Sequence, residues 1–166
     1  MSRLDEPLAT ARQTGWLELK IPPPVVAAVT AVAMWGVARV FMVLDLPREV
    51  RIPVAVLIAL AGVALSASGI VTFRRSHTTI NPHKPDQATA LVTSGPYRFT
   101  RNPMYAGVLL VLLAWAAYLS SLWALAGPVA FVLYINRFQI APEERALQSL
   151  FGSEYLAYKS RVRRWL

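Results

Sequence analysis

An all-α integral-membrane bundle of about four spanning helices is the fold this sequence predicts, and three observations predict it. Apolar residues make up 55% of the 166-residue chain and charged residues only 16%, with a mean hydropathy of +0.43, unlike an ordinary soluble domain. The apolar residues gather into long runs instead of alternating with polar ones. Most of the 17 lysines and arginines flank those runs, where they orient spans and meet anionic lipid.

The elements follow in order. Residues 1–20, MSRLDEPLATARQTGWLELK, are too polar to be a cleaved signal and read as a soluble N-terminal arm. After Pro22-Pro23-Pro24, the run from Val25 to Leu46 is interrupted only by Arg39 and Asp45 and is long enough for span one. Arg39 lies near its far end and is expected to snorkel outward. Pro47 to Arg51 reads as a turn, and Ile52 to Phe73 as span two, free of charge. Its small residues Ala55, Ala59, Gly62, Ser66 and Gly69 suit close packing on a neighbour in lipid. A polar connection over 74–102 is longer than a simple joint requires. The apolar stretch from Met104 to Phe138 would extend about 52 Å as one helix, too far for one crossing, so Ser120-Ser121 is expected to divide it into a hairpin of spans at 104–119 and 122–138. Gly127-Pro128 should kink the return helix. A short helix from Pro142 should stop at Gly152, and Ser153 should cap a second one carrying Tyr155 and Tyr158. Arg161 to Leu166 reads as a basic, aromatic anchor among headgroups. The whole chain is expected to be a single membrane domain.

Charge sets the expected orientation. Arg3, Arg12 and Lys20 precede span one; Arg74, Arg75, Lys84, Arg98 and Arg101 separate spans two and three; Arg137, Arg145, Lys159, Arg161, Arg163 and Arg164 follow span four. Only Arg48 and Arg51 lie on the other side, so both termini are expected in the cytoplasm. The net charge of +8 is accounted for by these flanks and does not indicate nucleic acid. With no cysteine, disulfides and thiolate chemistry are excluded. His77 and His83 have no carboxylate cluster nearby and read as loop histidines, so no metal site is expected.

The polar residues that remain form two clusters at one membrane face. Tyr97, Arg98, Arg101, Asn102 and Tyr105 precede span three; Asn136, Arg137, Glu143 and Glu144 follow span four. The hairpin makes these ends neighbours, which brings acid and base together beside lipid. Such a pocket can take a carboxylate or phosphate at the free N–H groups of a helix that begins at Pro103 and Met104.

At these residues the sequence resembles a known family. G-P-Y-x-x-x-R-N-P-x-Y-x-G at 95–107, Arg137 with Glu143-Glu144, and F-G-x-x-Y-x-x-Y at 151–158 are similar to the small integral-membrane methyltransferases typified by isoprenylcysteine carboxyl methyltransferase and phospholipid N-methyltransferases. The likeness covers about the C-terminal 75 residues. It implies a cytoplasmic S-adenosylmethionine pocket at the hairpin and a lipid or other lipophilic acceptor, carboxylate or amine, arriving from the bilayer, here of a bacterial inner membrane. It implies cofactor contacts at Tyr97, Asn102, Pro103, Tyr105, Gly107 and Arg137 and at one of Glu143 and Glu144, taken as Glu143, and catalytic roles for Arg101 and the other glutamate of the pair, taken as Glu144. Many relatives carry His in place of Asn102, and an amide cannot serve as a proton acceptor. Two other readings are a nicotinamide-dependent enzyme resembling sterol reductases, for which the chain is short, and a non-catalytic membrane accessory protein.

Overall fold

The computed structural model describes residues 18–41, 44–76 and 90–166. Most of the expected N-terminal arm, with Arg3 and Arg12, and His77, His83 and Lys84 lie outside the described residues. Five α-helices follow one another: α1 (Pro23–Val40), α2 (Arg48–Arg75), α3 (Pro103–Leu119), α4 (Ala126–Ile135) and α5 (Ala141–Arg161). Short 3-10 turns at Gly95–Arg98 and Leu122–Leu125 precede α3 and α4, and a π-helical turn at Asn136–Ile140 joins α4 to α5. Among the described residues the only β-type pairing is an isolated parallel bridge between Thr100 and Arg163.

The helices are built for lipid. α1, α2 and the continuous helical run Leu122–Arg161 are long and apolar enough to cross a membrane, and α3 is a shorter apolar helix of 17 residues. Val29, Val32, Leu57, Leu60 and Leu133 each expose more than half of their surface. Such faces are stable only against hydrocarbon, so the chain is an integral-membrane helical bundle.

Boundaries shift for local reasons. Span one was expected to reach Leu46, but α1 stops at Val40, where Phe41 turns extended and Leu44 donates its N–H to the carbonyl of Ser120 at 2.6 Å. Arg39 thereby falls in the last turn of α1, near the negative end of its dipole, 5.3 Å from the Trp35 ring centre. The expected turn at 47–51 is instead the first turn of α2, with Pro47 as its N-cap and Pro53 tolerated within its first two turns. Ser120 takes a left-handed conformation (φ 53°) and ends α3, as the hairpin requires. Gly127-Pro128 lies where the 3-10 turn Leu122–Leu125 passes into the first turn of α4, so the proline stands at the start of the α-helix and not in its middle.

α2 and α3 make the closest helix pair. A Cβ built on Gly107 would sit 2.2 Å from Ser66 Oγ and 2.4 Å from the Gly62 carbonyl oxygen, and one on Gly62 would sit 2.6 Å from the Gly107 carbonyl oxygen. Backbone meets backbone at this crossing because neither glycine has a side chain to hold it away. Ser66 Oγ donates to the Met104 carbonyl at 3.1 Å across the same seam.

Span four and the tail are not separate helices. α4 runs through the π turn into α5, and the break falls later, at Gly152 (φ 48°, ψ −120°). Pro142, buried in the first turn of α5, brings no N–H to the Phe138 carbonyl four residues earlier. The N–H of Leu19 supplies it at 3.0 Å, and Gln139 Nε2 donates to the Ile21 carbonyl at 2.8 Å. The segment before α1 is thus laced to the π turn.

Candidate functional site

The 3-10 turn Gly95–Arg98 positions the first half of the site. Gly95 holds φ +58°, with Thr72 of α2 packed where a Cβ would be, so the turn begins against the end of α2. Tyr97 is buried with its ring 5.9 Å from that of Phe73. Its carbonyl accepts from Tyr158 Oη at 2.8 Å, while its own hydroxyl has no partner among the described residues. Burial raises its hydroxyl pKa, and Tyr158 and Glu143 nearby add to the shift.

The second half comes from α5, one helical run beyond α4. Tyr105 Oη donates to Glu143 Oε1 at 2.6 Å, which fixes the N-terminal end of α3 against the start of α5. The hairpin does bring the two polar clusters to one end of the bundle. Burial pushes the Glu143 carboxyl up to about 7; the Tyr105 hydrogen bond opposes the shift and the neighbouring Glu144 charge adds to it. The π turn adds a residue to the helical repeat just before these acids, which changes the face on which they emerge.

Glu144 has a different environment. Arg101 donates to it at 2.8 Å, Arg164 makes two contacts at 3.0 and 2.6 Å, and Lys159 lies 3.7 Å away. Burial alone would raise its pKa, but the hydrogen bonds from Arg164 and Arg101 and their charges outweigh it, so Glu144 is held below the usual carboxylate range. Three cations surround one carboxylate, and the cluster keeps a positive surplus. Two adjacent glutamates are therefore set apart: Glu144 is a fixed anion, and Glu143 changes charge near neutral pH.

The last residues of the chain belong to this site. The expected lipid anchor at 161–166 instead folds back on the stretch before α3. Arg101 N–H donates to the Arg163 carbonyl at 2.8 Å, and the Arg164 carbonyl accepts from both Thr100 Oγ1 (3.1 Å) and Asn102 Nδ2 (3.0 Å). Trp165 Nε1 donates to Asn136 Oδ1 of the π turn at 3.1 Å. Arg101 itself reaches the carbonyls of Lys159 and Val162. Sequence reasoning missed Arg164 because nothing in a C-terminal RRWL says that it returns to a point more than 60 residues earlier. The clue was in the composition: Glu144 needed more than one cation to stay ionised while buried.

Some expected residues lie elsewhere. Arg137 is mostly exposed and, with Arg145, pairs with the buried carboxylate of Glu18 at 2.9 and 2.5 Å. Pro103 and Gly107 face α2, Pro103 against Gly69 and Gly107 against Gly62 and Ser66. The structure thus gathers Tyr97, Arg101, Asn102, Tyr105, Glu143 and Glu144 around one point, with Arg164 added. It sets Pro103 and Gly107 in the α2–α3 seam and Arg137 on the N-terminal segment.

This pairing of a fixed anion among arginines with a neighbouring titratable acid suits a ligand carrying both charges. Comparison with known proteins bears on which. Phospholipid methyltransferase is the family that matches, over residues 50–154, which takes in most of α2, the 95–107 stretch, α3, α4, the π turn and Glu143-Glu144. The chain belongs to the phospholipid methyltransferase family. It is 32% identical over 107 residues to protein-S-isoprenylcysteine O-methyltransferase B of Arabidopsis thaliana, covering 61% of this chain and 51% of that one. It is 35% identical over 116 residues to the probable protein-S-isoprenylcysteine O-methyltransferase of Oryza sativa subsp. indica, covering 66% of this chain and 57% of that one. An uncharacterized Haemophilus influenzae protein is 54% identical over 63 residues, 38% of this chain and the whole of that one. The chain thus spans between half and three fifths of the plant enzymes it matches. As a member of the phospholipid methyltransferase family, it carries the Tyr105–Glu143 and Arg101–Glu144 pairs inside the matched region, and the Arg164 contribution outside it.

Proposed function

We propose that the protein transfers a methyl group from S-adenosylmethionine to a lipophilic acceptor reaching it from the bilayer. The observation that carries this reading is the pair Glu143 and Tyr97 at the end of the bundle away from the Ser120-Ser121 turn: a partly buried carboxyl held on one oxygen by Tyr105, beside a buried hydroxyl with no partner among the described residues. A buried polar atom in that state is costly unless a ligand satisfies it.

The residues fit the cofactor's functional groups. Glu143 offers its second oxygen to the ammonium, and the hydroxyl of Tyr97 is a further polar contact. Asn102, with its amide tied to Arg164, fixes the chain where α3 begins. When bound, the cofactor supplies a methyl group on a cationic sulfur that is open to in-line attack. The tyrosine rings favour that charge, and burial at this end of the bundle excludes water. Arg101 and Arg164, held in place by Glu144, orient an anionic group of the acceptor. A carboxylate acceptor needs no base, whereas an amine has to lose its proton to a base other than Glu143, whose two oxygens are already engaged. The excess of basic residues at this end supports an orientation with the site and both termini on the cytoplasmic side, in our reading of a bacterial inner membrane.

Purified protein in detergent, incubated with membrane lipid extract and a donor labelled on its methyl carbon, is expected to yield a labelled lipophilic product by mass spectrometry. Arg101→Ala should reduce that product by at least about a hundredfold, the scale of losing an orienting charged contact. Unlabelled lipid from folded wild-type protein that also binds no S-adenosylhomocysteine by calorimetry would sink the proposal.

A further inference from the structure

The end of the bundle opposite Glu143 and Glu144 carries a second feature, unrelated to the methyl-transfer residues. α1 and α2 both pack on α3. Along them runs an open apolar groove of about 560 Å3, lined among others by Ala31, Ile52, Ala55, Ala59, Trp115 and Tyr118. Alanines on both sides leave room for a narrow chain, and the volume lies within the roughly 300–1,000 Å3 of pockets that hold small ligands.

Polar chemistry is confined to one end. Arg51 stands one helical turn before Ala55 on the same stripe of α2, with its guanidinium 5.5 Å from the Tyr118 ring centre. Tyr118 stacks on Trp115 at 5.3 Å and 14°, and Trp115 Nε1 donates to the Ala31 carbonyl at 3.0 Å. This ladder ties α2, α3 and α1 together at the groove. Arg51 Nε is buried and has no hydrogen-bond partner among the described residues. A buried guanidinium donor without an acceptor is unfavourable, and the acceptor its planar fork matches best is an oxyanion. An apolar groove whose lining residue Tyr118 carries that guanidinium over its ring, on a helix face turned to lipid, has the chemistry of one molecule type: a phosphate head joined to a hydrocarbon chain.

We propose that this groove is a phospholipid site, with one acyl chain lying along Ile52, Ala55 and Ala59 and the phosphate diester on Arg51. It is distinct from the acceptor site, since Tyr118 and Tyr105 are 13 residues apart on α3, roughly 20 Å along the helix axis. A lipid seated there is resident, and it fills the space that α1 and α2 leave over α3.

Native mass spectrometry of the full chain, stripped of loose lipid and titrated with phosphatidylglycerol, tests this. Wild-type protein is expected to retain one phospholipid. Arg51→Gln should weaken retention about tenfold, the scale of one charge-assisted hydrogen bond, while Arg51→Lys keeps most of it. Ala59→Phe should abolish retention by filling the groove, and Arg48→Gln, on an exposed neighbour, should change nothing. Equal retention by wild type and Arg51→Gln overturns the proposal, as does equal competition by uncharged diacylglycerol, which has the chains without the phosphate. Retention of only the methylated product would make the groove part of the acceptor site and overturn it too. Melting temperatures of the variants in detergent separate loss of the site from loss of fold, and the diacylglycerol competition on wild-type protein still decides the matter if Arg51→Gln unfolds.

Discussion

Glu143 and Glu144 are chemically identical neighbours that the fold makes different. Glu144 is surrounded by Arg101, Arg164 and Lys159 and stays ionised; Glu143 faces Tyr105 and is pushed up to about 7. The sign of the pH dependence follows. A carboxyl whose folded pKa is raised binds its proton more tightly when folded, so stability falls as pH rises from about 4.5 to about 7. Glu143→Gln should flatten that fall, measured as melting temperature against pH in detergent. Ligand binding runs the other way, because only the ionised carboxylate pairs with an ammonium. Affinity for S-adenosylhomocysteine should therefore increase severalfold between pH 6 and pH 8 in wild type. In Glu143→Gln it should be weak and flat across that range; a wild-type pH profile in the variant removes Glu143 from the site.

Among the elements, the α2–α3 seam is the most constrained. A Cβ on Gly107 has nowhere to go, since one of its nearest neighbours is the Gly62 backbone and not a flexible side chain. Gly107→Ala should cost about 1–3 kcal/mol by forcing the helices apart, read as a lower melting temperature. Because Tyr105 is on the same helix, the variant should also loosen the Tyr105–Glu143 contact and weaken ligand binding. Unchanged melting would mean that α2 and α3 do not meet at these glycines. This seam was legible: the small residues of span two announce close packing, and Gly107 sits in the partner helix. The π turn was not legible, because Asn136–Ile140 has the composition of ordinary helix. What creates it is tertiary, a proline at 142 whose lost donor is replaced by Leu19 from the other end of the chain.

At the scale of the whole molecule, both ends of the described chain are fastened to the end of the bundle that carries Glu143 and Glu144. Glu18 holds Arg137 and Arg145, and the final residues hold Thr100, Arg101, Asn102, Glu144 and Asn136. Deleting residues 163–166 should leave the spanning helices folded by circular dichroism and abolish S-adenosylhomocysteine binding, since Glu144 would lose one of its two arginines and Asn102 its acceptor. Binding at wild-type strength by the truncated protein would reduce the tail to a surface anchor.

The sequence by itself determined the bundle, its hairpin turn at Ser120-Ser121, and the two polar clusters that meet at the other end of that hairpin. These depend on run lengths, helix-breaking residues and chain connectivity, all of which are local or follow from the thickness of a bilayer. Only the tertiary structure decided that Arg164 shares Glu144 with Arg101, that Glu143 titrates apart from its neighbour, and that Arg137 faces Glu18. Each of these rests on contacts between residues far apart in the chain, where charge and burial set the outcome and spacing in sequence carries no record of it.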